Sequence, residues 1–131
     1  YYTGRMKIIS EARVVTPSGV IEGGAVAFEQ GRITFVGQGA TGNGDSITAP
    51  GLTLLPGFLD VHIHGGGGCD TMDATPEALQ AICRTHARFG TTGLLATTMT
   101  QSRSAISAAL QNARLAYEAR TGFWKDGARV L

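Results

Sequence analysis

The rhythm of apolar and polar positions changes near residue 56. Before it, short runs of β-branched and apolar residues alternate with glycine-bearing turns, a pattern that predicts short strands. Residues 7–15 form the first run, and Thr16-Pro17-Ser18-Gly19 supplies a turn, because proline pre-sets its own φ and glycine accepts a positive one. Residues 20–21, 25–28 and 32–36 predict further strands, separated by Gly23-Gly24 and by Glu29-Gln30-Gly31. In the last of these, Ile33, Phe35 and Gly37 alternate with Arg32, Thr34 and Val36, which predicts a strand with one face well buried. Residues 40–46 are small, polar and glycine-rich and predict a loop. Residues 47–55 return to strand content around Pro50-Gly51. About five short strands with open edges do not close a sandwich on their own, so residues 1–55 are expected to be completed by other strands.

From Pro56 onward, strands alternate with stretches of helical period, the sign of βαβ units and a parallel sheet. Residues 58–64 predict the first strand. Thr75-Pro76-Glu77 then starts a helix, with a hydroxyl N-cap, proline at the first helical position and a carboxylate near the positive end of the dipole. Leu79, Ile82, Cys83 and His86 share its inner stripe, and Gly90 is the natural C-terminal cap. Residues 91–100 predict a second strand buried on both faces, centred on Leu94-Leu95-Ala96. Ser102 or Ser104 caps a second helix, whose Ile106, Ala109, Leu110, Ala113 and Tyr117 follow the 3.6 spacing up to Gly122. Residues 128–131 begin a third strand. The fold class is α/β, and 131 residues fall short of the about 250 of a complete (β/α)8 barrel.

Candidate chemistry concentrates in residues 55–70, Leu-Pro-Gly-Phe-Leu-Asp-Val-His-Ile-His-Gly-Gly-Gly-Gly-Cys-Asp. Period-two geometry projects Asp60, His62 and His64 from one face of a strand, and Leu59, Val61 and Ile63 from the other. Two imidazoles roughly 7 Å apart along a strand can serve one metal centre. A bare His-x-His pattern is weak by itself. Here it closes an otherwise apolar strand, at the C-terminal end where α/β barrels place their active sites. Asp60, one pleat deeper, either orients a ligand imidazole or is a structural carboxylate bonded to backbone. The glycine run after His64 ends the strand and leaves room for a ligand to approach the backbone.

The other candidates have plainer explanations. Packing or hydrogen bonding accounts for His86 better than metal ligation does. Cys69 fits better as a small residue lining a tight turn than as a thiolate ligand. β-propensity explains Thr97, Thr98 and Thr100 as well as an active-site role does. Arg103, Arg114, Arg120 and Arg129 are spread over helix surface and termini, so no phosphate site is assigned to them. A net charge of +1, with both signs dispersed, gives no case for a nucleic-acid partner or an acidic membrane. Cys69 and Cys83 suggest reduced thiols, no secretion signal is visible with Met6 as a natural start, and a cytoplasmic location is the default.

The ten residues from Pro56 to Gly65, Pro-Gly-Phe-Leu-Asp-Val-His-Ile-His-Gly, resemble the opening strand signature of the amidohydrolase superfamily. The continuation through Thr75, with residues 89–100, Phe-Gly-Thr-Thr-Gly-Leu-Leu-Ala-Thr-Thr-Met-Thr, resembles the N-acetylglucosamine-6-phosphate deacetylase family within it. The resemblance implies a metal-dependent hydrolase. Residues 56–131 would be the first βα units of its incomplete (β/α)8 barrel, and residues 1–55 the N-terminal share of a small β-sandwich built from both chain ends. It implies His62 and His64 as ligands of one metal, a divalent ion such as zinc or iron, with one or two per complete site. A glutamate, two later histidines and a catalytic aspartate are expected beyond Leu131, so no catalytic residue is assigned within this chain and the fragment is expected to be inactive alone. The reaction implied is hydrolysis of N-acetylglucosamine 6-phosphate to glucosamine 6-phosphate and acetate. Separately, two βα units that cannot close a barrel leave apolar faces and open edges, so self-association into a homo-oligomer is expected. A dihydroorotase-like or hydantoinase-like cyclic amidase, sharing only residues 56–64, is one alternative; a non-catalytic β-plus-α scaffold with structural histidines is the other.

Overall fold

The computed structural model describes residues 5–40, 42, 44–119 and 126–131. The chain divides into two compact units, Tyr1–Pro56 and Gly57–Leu131.

The first unit is a five-stranded sheet. Its strands are β1 (Lys7–Thr16), β2 (Gly19–Glu29), β3 (Arg32–Gly37), β4 (Asp45–Thr48) and β5 (Thr53–Leu54). The order is β3-β2-β1-β4, with β5 also on β1. The first three strands form the expected antiparallel meander, whereas β4 and β5 run parallel to β1. The two short strands predicted at 20–21 and 25–28 are one. Gly23, at φ 59°, and Gly24 make an irregularity inside it instead of a break. A Cβ on Gly24 would lie 2.9 Å from Val14 Cγ2, so the close approach to β1 requires glycine.

Register places Ile9, Val26 and Val36 in one cross-strand row and Ile8, Ala27 and Phe35 in the next. Successive residues point to opposite faces, so the sheet is apolar on both. Ile8, Ala25 and Ala27 form one small core cluster, and Ala12, Val14, Val26 and Ala49 another. Strand β3 departs from expectation. None of its residues is buried, and Ile33 is 68 % exposed, because β3 is an edge strand whose apolar side meets no second layer. Ile9, Val26, Phe28, Ile33 and Val36 instead help to line an open apolar trough of about 600 Å³ within this unit.

The second unit follows a βαβαβ order. Strand β6 (Phe58–Ile63) leads into a small hairpin, β7 (Gly65–Gly66) and β8 (Cys69–Asp70), and a 3₁₀ turn at Thr71–Asp73. Helix α1 (Pro76–Ala87), strand β9 (Thr91–Ala96), helix α2 (Arg103–Glu118) and strand β10 (Arg129–Val130) complete it. The three long-range strands are parallel in the order β10-β9-β6 and form no closed barrel among the described residues.

The caps fall where side-chain chemistry put them. Thr75 Oγ1 accepts the Ala78 N–H at 3.2 Å, and Ser102 Oγ accepts the Ala105 N–H at 3.2 Å. Helix α1 stops at Ala87, before the expected Gly90 cap. Gly90 at φ 91° instead turns the chain into β9, its carbonyl accepting the Phe58 N–H at 2.9 Å. Ile63, Leu79, Ile82, Cys83, Leu94, Ala116, Ala128 and Val130 form the core between sheet and helices.

Helices cover a single face of this sheet, which leaves apolar residues of β9 and β6 open. Strand β9 is not doubly buried: Leu94 is enclosed while Leu95 is 40 % exposed. On β6 only Ile63 is buried, and Leu59 and Val61 lie open. Helix α2 buries only Ala109 and Ala116, leaving Leu110 and Tyr117 exposed. Its expected end at Gly122, and Arg120, lie outside the described residues.

Candidate metal centre

The histidine pair stands where β6 ends. Pairing between β6 and β9 is irregular between Asp60↔Leu94 and Ile63↔Ala96, so Val61 and His62 together face Leu95 alone. Such a bulge re-aims side chains at a strand end. The result is convergence: His62 Nε2 and His64 Nε2 are 3.1 Å apart, with the rings nearly perpendicular at 83°. Two nitrogens each about 2.1 Å from one ion at a tetrahedral angle stand about 3.4 Å apart, close to this spacing.

The tautomers follow from the partners. His64 Nδ1–H donates to the Thr97 carbonyl oxygen at 3.1 Å, which leaves His64 Nε2 as a lone pair. In the neutral pair His62 Nε2–H donates to it, and a cation held by both Nε2 atoms would require His62 to carry its proton on Nδ1 instead. The His64 carbonyl accepts the Thr71 N–H at 2.7 Å, so His64 is held by main chain on both sides. His62 is exposed and His64 partly buried.

Asp60 Oδ1 accepts the His62 main-chain N–H at 3.1 Å. Of the two roles the sequence left open for Asp60, the backbone-bonded carboxylate is the one seen. It steadies His62 through the backbone. His86 Nε2–H donates to the Gly65 carbonyl at 3.2 Å, a structural bond that ties the hairpin to α1. Cys69 packs against the core cluster, and Cys83 lies inside it, where burial pushes its thiol up to about 12.

Two glycines of the run after His64, Gly66 and Gly67, pack against helix α1. A Cβ on Gly66 would lie 2.5 Å from His86 Nε2, and one on Gly67 would collide with Thr85 Oγ1, so this backbone is glycine because helix α1 lies against it. Among the arginines, Arg114 pairs with Glu118 one helical turn away at 3.6 Å.

Among the described residues no group of three or more histidine, cysteine, aspartate or glutamate side chains gathers as a metal site. His62 and His64 fit two positions of a coordination shell and no more. No family model matches the chain. Over 110 residues it is 43% identical to N-acetylglucosamine-6-phosphate deacetylase of Bacillus subtilis, an alignment covering 82% of this chain and 28% of that protein.

The chain is similar to the N-terminal portion of N-acetylglucosamine-6-phosphate deacetylases.

A solved N-acetyl-D-glucosamine-6-phosphate deacetylase from Mycobacterium smegmatis superimposes with a TM-score of 0.78 at 27% identity, covering 92% of this chain and 31% of that one. An N-acetylgalactosamine-6-phosphate deacetylase of Escherichia coli O157:H7 is 41% identical over 78 residues, 60% of this chain and 20% of that protein. The chain thus spans under a third of the length of the deacetylases it matches.

In this deacetylase-like chain the sequence pointed to the two histidines, and the structure brings their Nε2 atoms together. It did not single out Thr97, whose hydroxyl and main chain bond Ile63, His64 and Leu95 at the strand end. A threonine in a β-branched run carries no local signal of such a role, since the partners Ile63 and His64 lie 34 and 33 positions away.

Proposed function

We propose that this chain is the N-terminal part of a metal-dependent amidohydrolase that hydrolyses N-acetylglucosamine 6-phosphate to glucosamine 6-phosphate and acetate. The observation that carries this reading is the 3.1 Å convergence of His62 and His64 Nε2 at the C-terminal end of a parallel strand. The identity to Bacillus subtilis N-acetylglucosamine-6-phosphate deacetylase supports the substrate class.

In this reading Gly57–Leu131 contributes the first βα units of a (β/α)8 barrel, and Tyr1–Pro56 one share of a small β-sandwich. His62 and His64 hold a divalent cation, zinc or iron, with further ligands and the proton-transferring carboxylate supplied from outside these residues. When bound, such an ion polarises the acetyl carbonyl and lowers the pKa of water. The chain's own residues prepare the two donor nitrogens: Asp60 fixes the His62 main chain, and the Thr97 carbonyl holds the His64 ring. The similarity to an N-acetylgalactosamine-6-phosphate deacetylase supports a second substrate of the same class, the 4-epimer. No described helix is long and apolar enough to cross a membrane.

The test is acetate release by the full-length protein with each sugar phosphate and with a cyclic amide, alongside metal content by mass spectrometry. Turnover of a sugar phosphate is expected, with lower metal content and at least 10-fold lower activity in a His62→Ala plus His64→Ala variant. Unchanged metal content in that variant would remove the ligand assignment, and turnover of the cyclic amide alone would remove the substrate.

A further inference from the structure

We propose that Thr97 is a positioning residue for the histidine pair: it holds His64 in the tautomer whose Nε2 lone pair faces His62 and is free to take a cation. This deepens, and rests on, the reading of His62 and His64 as ligands.

The argument begins at the bulge. Where Val61 and His62 together face Leu95, the main chain of β6 leaves its regular ladder with β9. Ile63 follows directly, and it is 6 % exposed, so water is a poor substitute for a lost partner of its N–H. Thr97 supplies that partner: its Oγ1 accepts the Ile63 N–H at 3.1 Å and donates its own proton to the Leu95 carbonyl at 3.1 Å. The Thr97 N–H donates to the Ile63 carbonyl at 2.8 Å.

Three bonds therefore fix Thr97 beyond the end of β9, and its remaining main-chain group, the carbonyl oxygen, meets His64 Nδ1 at 3.1 Å. A carbonyl only accepts, so the proton of neutral His64 sits on Nδ1 and Nε2 is bare. That bare nitrogen is the one 3.1 Å from His62 Nε2. The hydroxyl of Thr97 thus acts on a ring it does not touch, by fixing the carbonyl that does. Valine has the same branching and the same preference for strands but offers neither donor nor acceptor. Serine keeps the hydroxyl and loses only a methyl group. The pair separates hydrogen bonding from strand formation.

Nitrogen-15 NMR of the histidine rings in the metal-free full-length protein reads the tautomer, and titration with Zn²⁺ alone reads affinity. Native protein and Thr97→Ser are expected to carry Nδ1–H at His64. Thr97→Val is expected to shift His64 toward the Nε2–H form and to bind zinc about 10–100-fold more weakly, with Thr97→Ser within about threefold of native. A native protein with the Nε2–H tautomer at His64 overturns the proposal, and that measurement does not require the valine variant to fold. A folded Thr97→Val with native tautomer and native zinc affinity overturns it as well. A His62→Ala plus His64→Ala variant that keeps its full zinc affinity overturns the ligand reading instead, so the two failures are told apart.

Discussion

At the scale of single residues, the histidine pair and the glycines after it are held by contacts with the segment following β9 and with helix α1. His62 and His64 were visible because a two-residue period is a local property of a strand. The glycines after them were visible as glycines, but their purpose was not. Gly66 is small because His86 occupies the space a Cβ would need. Gly66→Ala should displace His86 from the Gly65 carbonyl and destabilise the fold by about 1–3 kcal/mol. Thermal unfolding checks this, and an unchanged midpoint would contradict it. Cys83 offers a second test. Its thiol is raised from 9.0 to about 12 by burial, so the folded chain keeps a proton that the unfolded chain loses. That contribution is complete below pH 9 and is lost as pH rises toward 12, by up to about 1.4 kcal/mol per pH unit. Urea unfolding at pH 8 and pH 10 should show a steeper loss in the native chain than in Cys83→Ala, and equal losses would refute the assignment.

At the scale of elements, helix starts were the most legible feature, because a cap is a contract between residues three apart. Thr75 and Ser102 both accept the N–H that their position dictates. Thr75→Ala should destabilise the second unit by about 1 kcal/mol, measured by chemical denaturation, with Thr75→Ser close to native. Helix ends were less legible. Gly90 was expected to cap α1, yet it serves the entry to β9, because the chain needs a left-handed residue where it turns to pair with Phe58. The Gly23-Gly24 pair was expected to separate two strands and instead sits within one, since the ladder with β1 continues past a local irregularity. Glycine reports that the backbone does something unusual, not whether the element ends there.

At the scale of the whole chain, each unit leaves apolar surface open. Ile33 and Ile47 are exposed in the first, and Leu59, Val61 and Leu131 in the second. Exposed apolar faces beside open strand edges favour association. The 131-residue chain alone is expected to self-associate in sedimentation experiments, and a monodisperse monomer would contradict this. By itself the sequence determined the alternation of strands and helices, their caps, and a pair of imidazoles on one strand, because each depends on residues a few positions apart. Tertiary structure decided the rest. The parallel pairing of β4 and β5 with β1 and the contact of Thr97 with Ile63 and His64 join residues more than thirty positions apart, and the single covered face of β9 depends on where the two helices pack. A local pattern shows that a face is apolar, and only packing shows whether anything covers it. The same holds for the histidines: periodicity put them together, but their Nε2 atoms meet where a bulge in β6 and the Thr97 hydroxyl and carbonyl, just beyond β9, set the main chain and the His64 ring.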